Sequence, residues 1–429
     1  MIKALRTMRG MRDYLKEDKW RLEYVNSVVR DLYYKYNYEE VSTPVIESFE
    51  LLASKAGSEI REKMYVFEDK GGRTVALRPE MTAPIARLYI ENLMRSAPKP
   101  VRLGYIGTCY RYDNPQRGRY REFWQAGFEL FGSEYPESEA EILEIAYKLM
   151  SNLGFPDFKI RVGNIGIIRS FFTALNIKDA LQDTILGLLD QKEFGKAEET
   201  LKQNSVSGED IQIFKEFLGV SGSDYDSILE KLGTLLAKYE VCLEELKKFS
   251  SLITLISEME IKDKVAVDMG LARGLEYYTG FIFEIYVKDL NIAVGGGGRY
   301  DKLIELFGGE ATPALGFAAG LDRLILAMSE RNLFKKTPER KILVLPLTYD
   351  QRAYGFRVAD KIREYGYRTE VDVLRRNIKR ALSHSINNNY NFIVFLGEKE
   401  MRENRVTIKN IQSGVQRTVS ISEIDEALK

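Results

Sequence analysis

Arg111, Arg117, Arg119 and Arg121 crowd into one short stretch, with Asp113 among them and Gln125 and Glu129 just beyond. A guanidinium is a planar fork of N–H donors that fits phosphate and carboxylate oxygens. Four such forks could hold a polyphosphate, or they could form a solvated charged turn. In an extended segment side chains alternate between faces, so Arg119 and Arg121 would share one. Other chemistries are nearly excluded. The chain has a single histidine, His384, which argues against a histidine base or a multi-histidine metal site. Its two cysteines, Cys109 and Cys242, are far apart and show neither a metal-binding spacing nor a disulfide framework.

These residues need a scaffold. Residues 102–131 read as two strands joined by a long charged turn, broken at Asp113-Asn114-Pro115 and Arg117-Gly118. Before them, apolar residues at helical spacing fill 19–37, and the segment 38–44 turns extended and stops on Pro44. A helix is expected over 137–152. From 167 to 261 leucine, lysine and glutamate dominate with little Gly or Pro, which predicts a helical insertion. Strands are expected at 265–269, 281–287 and 292–294, then the glycine run 295–298, then a helix over 318–328. A polar linker, 332–340, precedes an alternating pattern: strand 342–345, helix 351–365, strand 367–373, helix 379–388, strand 392–396. That pattern implies a separate small α/β domain. The expected organisation is a main domain over 1–331 carrying the insertion, and a second domain over 341–429. A chain of 429 residues fits two or three domains.

The stretch 110–129, YRYDNPQRGRYREFWQAGFE, resembles motif 2 of the histidyl-tRNA synthetases, which are class II aminoacyl-tRNA synthetases. Further motifs follow the family's order. Segment 38–47 resembles motif 1, the dimer-interface element, with Pro44 at its proline. Segment 77–83 (LRPEMTA) resembles the loop that binds the amino group of histidine. Segments 271–280 (LARGLEYYTG) and 294–303 (VGGGGRYDKL) resemble the two histidine signatures, and 314–324 (ALGFAAGLDRL) resembles motif 3. The resemblance covers nearly the whole chain. Asp113 and Asp322 stand where many bacterial members carry glutamate, and Asp113-Asn114-Pro115 is similar to the archaeal and eukaryotic branch.

The resemblance implies an α+β fold: an antiparallel class II sheet flanked by helices, a helical insertion and a C-terminal α/β anticodon-binding domain. It implies ATP-dependent activation of L-histidine and transfer to tRNA(His) by a cytoplasmic homodimer, with magnesium accompanying ATP and no protein-held metal. By position, Arg111 would hold the α-phosphate and the substrate carboxylate, and Arg323 the γ-phosphate. Arg273 would sit near the α-phosphate, where other class II enzymes place a metal. Asp113 and Arg119 would join the ATP contacts. Glu80, Thr82 and Gln125 would accept from the α-ammonium, which needs such partners when buried. Glu129 and Tyr278 would bond the imidazole nitrogens, with Tyr277 lining that pocket. Gln116 and Arg117 would meet the acceptor end of tRNA.

With 63 basic and 63 acidic residues the net charge is zero, so any nucleic-acid surface must be local. No apolar run approaches the ~20 residues of a membrane helix, and residues 1–12 lack the apolar core of a secretory signal. The glycine run lacks the Gly-Lys-Ser/Thr ending of a phosphate loop; close backbone approach accounts for it better. The basic run 375–380 precedes a helix and suits phosphate contacts. Two rivals remain: the synthetase-like regulatory subunit of ATP phosphoribosyltransferase, which generally lacks the anticodon domain, and another class II synthetase. The paired tyrosines after Arg273-Gly274 argue against the latter.

Overall fold

A computed structural model describes residues 6–55, 57–271, 277–288, 293–335 and 340–429. The chain divides into two compact units, Met1–Phe334 and Lys335–Lys429.

The first unit is built on a nine-stranded sheet. Its spatial order is Glu39–Glu40, Val101–Tyr110, Glu122–Phe131, Ala314–Gly320, Ala293–Arg299, Phe281–Val287, Phe158–Asn164, Val265–Asp268 and Ser221–Gly222. The six strands from Val101–Tyr110 to Phe158–Asn164 pair antiparallel, while Glu39–Glu40 and Val265–Asp268 each join parallel to a neighbour. The sheet is thus antiparallel at its centre and mixed at its margins, within the α+β class expected. A second, three-stranded sheet is formed by Ile46–Ser48, Thr74–Leu77 and Tyr65–Glu68.

The helix Lys16–Lys35 buries Leu22, Val25, Val29 and Leu32, the recurring apolar positions of its pattern. Pro136–Asn152 begins with proline in its first turn, where the missing N–H costs nothing. Six helices, Ile165–Ala174 through Glu240–Glu258, lie between the strands Phe158–Asn164 and Val265–Asp268, with the short strand Ser221–Gly222 among them. Asn164, Ser207 and Asp224 cap three of them through side-chain oxygens. Their buried leucines, isoleucines and phenylalanines belong to the same continuous core as the sheet.

One expected element is wrong. Residues 318–320 are not helical: Ala314–Gly320 is a central strand, and the helix starts at Leu321 and runs to Glu330. Alanine and glycine carry weak strand propensity, so the alternation there is hidden. The glycine run likewise lies inside a strand, Ala293–Arg299. A side chain at Gly295 would meet the Phe317 ring at 2.9 Å, so the facing strands leave no room for one.

The second unit has a five-stranded sheet in the order Arg368–Val371, Lys341–Pro346, Phe392–Leu396, Arg405–Asn410, Gln416–Ser420. The first three are parallel and the last two extend the sheet antiparallel. Along Lys341–Pro346, Ile342 and Val344 pack into one apolar cluster, and Leu343 and Leu345 into another. A strand buried on both faces reads as a continuous apolar run.

Candidate active site

The hairpin strands Val101–Tyr110 and Glu122–Phe131 pair without a break from Val101 opposite Phe131 to Tyr110 opposite Glu122. The loop between them is itself ordered. Arg111 N–H donates to the Arg121 carbonyl at 2.9 Å, and Gln116 and Arg119 exchange backbone bonds at 3.0 and 2.9 Å. Gly118 supplies the positive φ, +74°, that this inner turn requires. Gln116 and Arg117 lie exposed at the tip, and Arg117 pairs with Glu330 at 3.0 Å.

Strand alternation puts Gln125, Gly127 and Glu129 on one face. Opposite them stand Gly320, Ala318 and Gly316. Small residues there leave space above the sheet. A Cβ at Gly316 would overlap the Glu129 carboxylate.

At the Gln125 end lies a cavity of about 150 Å3, lined by Arg111, Asp113, Arg119, Gln125, Asp322 and Arg323, among others. Arg111 Nε donates to the Pro79 carbonyl at 2.8 Å, and its guanidinium lies over the Phe123 ring, 5.4 Å from the centroid. Arg323 Nη1 donates to the Ala293 carbonyl at 2.8 Å. Both forks are anchored at one edge by a backbone carbonyl. Arg119 differs: its Nε and Nη2 each donate to Asp113 at 3.0 Å. Lys63 adds a second cation, 3.0 Å from Asp113. Burial pushes the Asp113 carboxyl up, but the bonds from Lys63 and Arg119 outweigh it and hold it below its ordinary value.

Asp322 opens the helix Leu321–Glu330. It accepts from Arg12, from Tyr14 at 3.0 Å and from the Trp124 N–H at 2.7 Å. Burial dominates and raises its carboxyl despite the Trp124 N–H and Arg12. Arg12 also lies over the rings of Tyr14 and Tyr120, at 4.5 and 4.1 Å, and Arg121 N–H donates to the Gly10 carbonyl at 2.8 Å. The N-terminal segment thus straps the hairpin loop. Sequence reading weighed 1–12 only as a targeting segment and missed this.

Arg78 joins three motif segments. Its Nε donates to the Thr108 carbonyl at 2.8 Å and its Nη1 to the Thr43 carbonyl at 2.7 Å, while its own carbonyl accepts from Tyr110 N–H at 3.0 Å. This brings Glu80 and Thr82 beside the hairpin. Glu80 accepts from the N–H groups of Thr82 and Ala83, the first two residues of the helix Thr82–Asn92, at 2.7 and 2.9 Å. The Cys109 thiol donates to Gln125 Oε1 at 3.1 Å, and burial pushes that thiol up to about 12, so it stays a donor.

At the far end Glu129 is 1% exposed. It accepts from the hydroxyl of Tyr300, a buried residue whose phenol burial pushes well above its ordinary value. The Tyr300 and Tyr277 ring centroids are 6.1 Å apart, and those of Tyr277 and Tyr278 are 4.3 Å apart. Tyr300 thus links Glu129 to Tyr277, and Tyr277 in turn packs on Tyr278. Tyr300 and Glu129 are 171 positions apart, so only the Arg-Tyr-Asp of the second signature could have drawn attention to it. Arg273 lies outside the described residues. Among the described residues no group of three or more His, Cys, Asp or Glu could hold a metal ion, and no helix is long and apolar enough to cross a membrane.

The chain matches a family model described as histidyl-tRNA synthetase over residues 10–324, and one described as an anticodon binding domain over 341–429. It is 37% identical to a histidine–tRNA ligase of Methanocaldococcus jannaschii, with 99% of each chain covered. A crystal structure of histidyl-tRNA synthetase from Nostoc sp. PCC 7120 shares the fold, with TM-score 0.79, 23% identity and 99% and 98% coverage of this chain and that one. So does a Bacillus halodurans structure titled an ATP phosphoribosyltransferase regulatory subunit/histidyl-tRNA synthetase, with TM-score 0.78, 24% identity and 91% and 98% coverage.

Proposed function

The chain belongs to the histidyl-tRNA synthetase family and is a histidine–tRNA ligase, and from that premise we propose how its own residues divide the reaction. ATP is a substrate of this reaction. The histidine carboxylate attacks the α-phosphorus of ATP, forming histidyl-adenylate and releasing pyrophosphate. The product is then transferred to the 3′ end of tRNA(His). The attacking group comes from the substrate, so the protein needs no nucleophile. Its task is to hold charge that moves among phosphate oxygens, and fixed cations do this with little reorganisation.

In this reading Arg111 takes the α-phosphate and the carboxylate, Arg323 takes the γ-phosphate, and Arg273 completes the set. Asp113 holds Arg119 and Lys63 in place beside the nucleotide. Glu80, Thr82 and Gln125 accept from the ammonium. The two backbone bonds to Glu80 fix the position of its carboxylate. Tyr300 donates to Glu129, so Glu129 remains an acceptor for an imidazole N–H while Tyr278 faces the other nitrogen. Gln116 and Arg117 approach the acceptor end, and residues 341–429 approach the anticodon. We read the enzyme as a cytoplasmic homodimer.

Magnesium is a poorer match for protein ligands. Both Asp113 oxygens already receive Arg119, and both Asp322 oxygens receive Arg12, Tyr14 or Trp124. A magnesium ion usually keeps waters and binds substrate phosphates, so here it would travel on ATP.

The observation that carries this assignment is the single face of Glu122–Phe131. It presents Gln125 beside the two carbonyl-anchored arginines and Glu129 bonded to Tyr300, whose ring neighbours Tyr277. Histidine-dependent ATP–pyrophosphate exchange tests it, and robust exchange is expected. Histidine binding without exchange would instead indicate a regulatory subunit.

A further inference from the structure

A second cavity, of about 890 Å3, opens where Phe158–Asn164 and Phe281–Val287 end. It is lined by Lys159, Arg161, Lys192, Lys264 and Lys288, with Asp157 as its acidic residue. Such an excess stands out in a chain of zero net charge.

The four lysines are held in ways that leave their charge uncancelled, while Arg161 pairs with Asp268. Lys159 donates to the Asp263 carbonyl at 2.8 Å and Lys264 to the Pro156 carbonyl at 2.6 Å. Each ammonium keeps two further N–H donors. Arg161 lies over the Tyr286 ring at 4.6 Å and pairs with Asp268 at 3.5 Å. Glu284 nearby is buried and accepts from the Tyr286 hydroxyl. Lys192 and Lys288 are exposed, and no carboxylate among the described residues pairs with either.

Register places this groove on the reaction face. Arg161 stands opposite Glu284, Glu284 opposite Gly296, Gly296 opposite Ala318, and Ala318 opposite Gly127. Directly paired residues point to the same side of a sheet, so Arg161 and Lys159 share the face of Gln125, Gly127 and Glu129. The two cavities also adjoin. Tyr286, which lines the groove, is paired with Ala293, which lines the cavity beside Arg323. Neighbouring strands are about 4.8 Å apart, so the groove starts roughly one strand width from the assigned ATP cavity.

We propose that this basic groove holds the phosphate backbone of the tRNA acceptor arm while its 3′ end lies at the reaction centre. The inference rests on the ligase reading above. A nucleic-acid strand whose end must reach that centre necessarily lays its last phosphates near it. Uncancelled lysines with a stacked arginine suit a backbone and carry no base specificity.

The test uses the full-length enzyme carrying Lys192→Glu and Lys288→Glu, whose ammonium groups hold no part of the fold, and measures pyrophosphate exchange and tRNA charging side by side. The proposal expects unchanged exchange, a KM for tRNA raised about tenfold, and a salt dependence of tRNA binding shallower by roughly one log unit per lost phosphate contact. A companion Lys192→Arg/Lys288→Arg enzyme is expected to behave as wild type. A second variant, Lys159→Ala/Lys264→Ala, is expected to move in the same direction as the first. A tRNA KM within twofold of wild type at unchanged salt slope overturns the proposal, as does a parallel fall in exchange. Absent exchange in the wild-type enzyme is a different result, which sinks the ligase reading itself.

Discussion

The two ends of the strand Glu122–Phe131 solve opposite problems. At the Gln125 end, cations face an open cavity, and neutral carbonyls tether Arg111 and Arg323 at one edge. At the Glu129 end, a carboxylate with 1% exposure sits among tyrosines and receives a hydroxyl. A large polyanion can be gripped by charge alone, because every oxygen accepts. A small ring with one donor and one acceptor needs fixed partners in a dry pocket, where an unmatched polar group is costly. In the proposed assignment, half of the site would work by electrostatic strength and half by geometric matching.

If that division is right, the largest effect belongs to the charged end. Arg111→Ala is expected to lower pyrophosphate exchange by about a thousandfold, as loss of a donor aimed at developing charge does. Histidine binding should weaken less. A fall below about tenfold would mean that Arg111 is not the phosphate ligand.

Gly316→Ala tests the matched end with one methyl group. The added Cβ would overlap the Glu129 carboxylate, and both are on central strands that cannot move apart cheaply. Histidine KM should rise about a hundredfold while ATP affinity holds. Loss of both together would show that the two ends are not independent. Tyr300→Phe is milder. It leaves Glu129 without one donor, and hydrogen bonds to charged groups are worth about 1.5–3 kcal/mol, so histidine KM should rise about tenfold or more. Unchanged KM would remove Tyr300 from the site.

The same division explains what the sequence revealed. Arg111, Gln125 and Glu129 lie within one hairpin whose strand alternation and turn residues are local signals, so their shared region was legible. The partners that fix them were not. Tyr300 is 171 positions from Glu129, and Arg12 is 310 from Asp322. Only the fold brings such pairs together. Ala314–Gly320 was misread in part as a helix because Gly and Ala show little strand preference, and its role as the floor under Glu129 appears only from its pairing. The strands Arg405–Asn410 and Gln416–Ser420 escaped notice because the last is an edge strand, polar and largely exposed.

The smallest expected effect concerns two carboxylates that border the cavity of the charged end but shift in opposite directions. Asp113 is held below its ordinary value: burial opposes this, and Lys63 and Arg119 prevail. A carboxyl with a depressed folded value contributes stability above its unfolded pKa of about 3.9, and that contribution fades as pH falls through the folded value. Asp322 is raised, chiefly by burial. Its protonation therefore favours the folded state as pH falls. Because Arg119 is partly exposed, the Asp113 contribution should be no more than about 1 kcal/mol after solvent screening. Denaturant unfolding at pH 7 should find Asp113→Asn slightly less stable than wild type, with the gap closing as pH falls below about 4, the unfolded value. Asp322→Asn should show the opposite trend: wild type gains on that variant as pH falls toward about 4, through the raised Asp322 value, and the difference is level below that. Two gaps that close together would show that Arg12 governs Asp322 as firmly as Arg119 governs Asp113, and the carboxylates at this end would then share one electrostatic design.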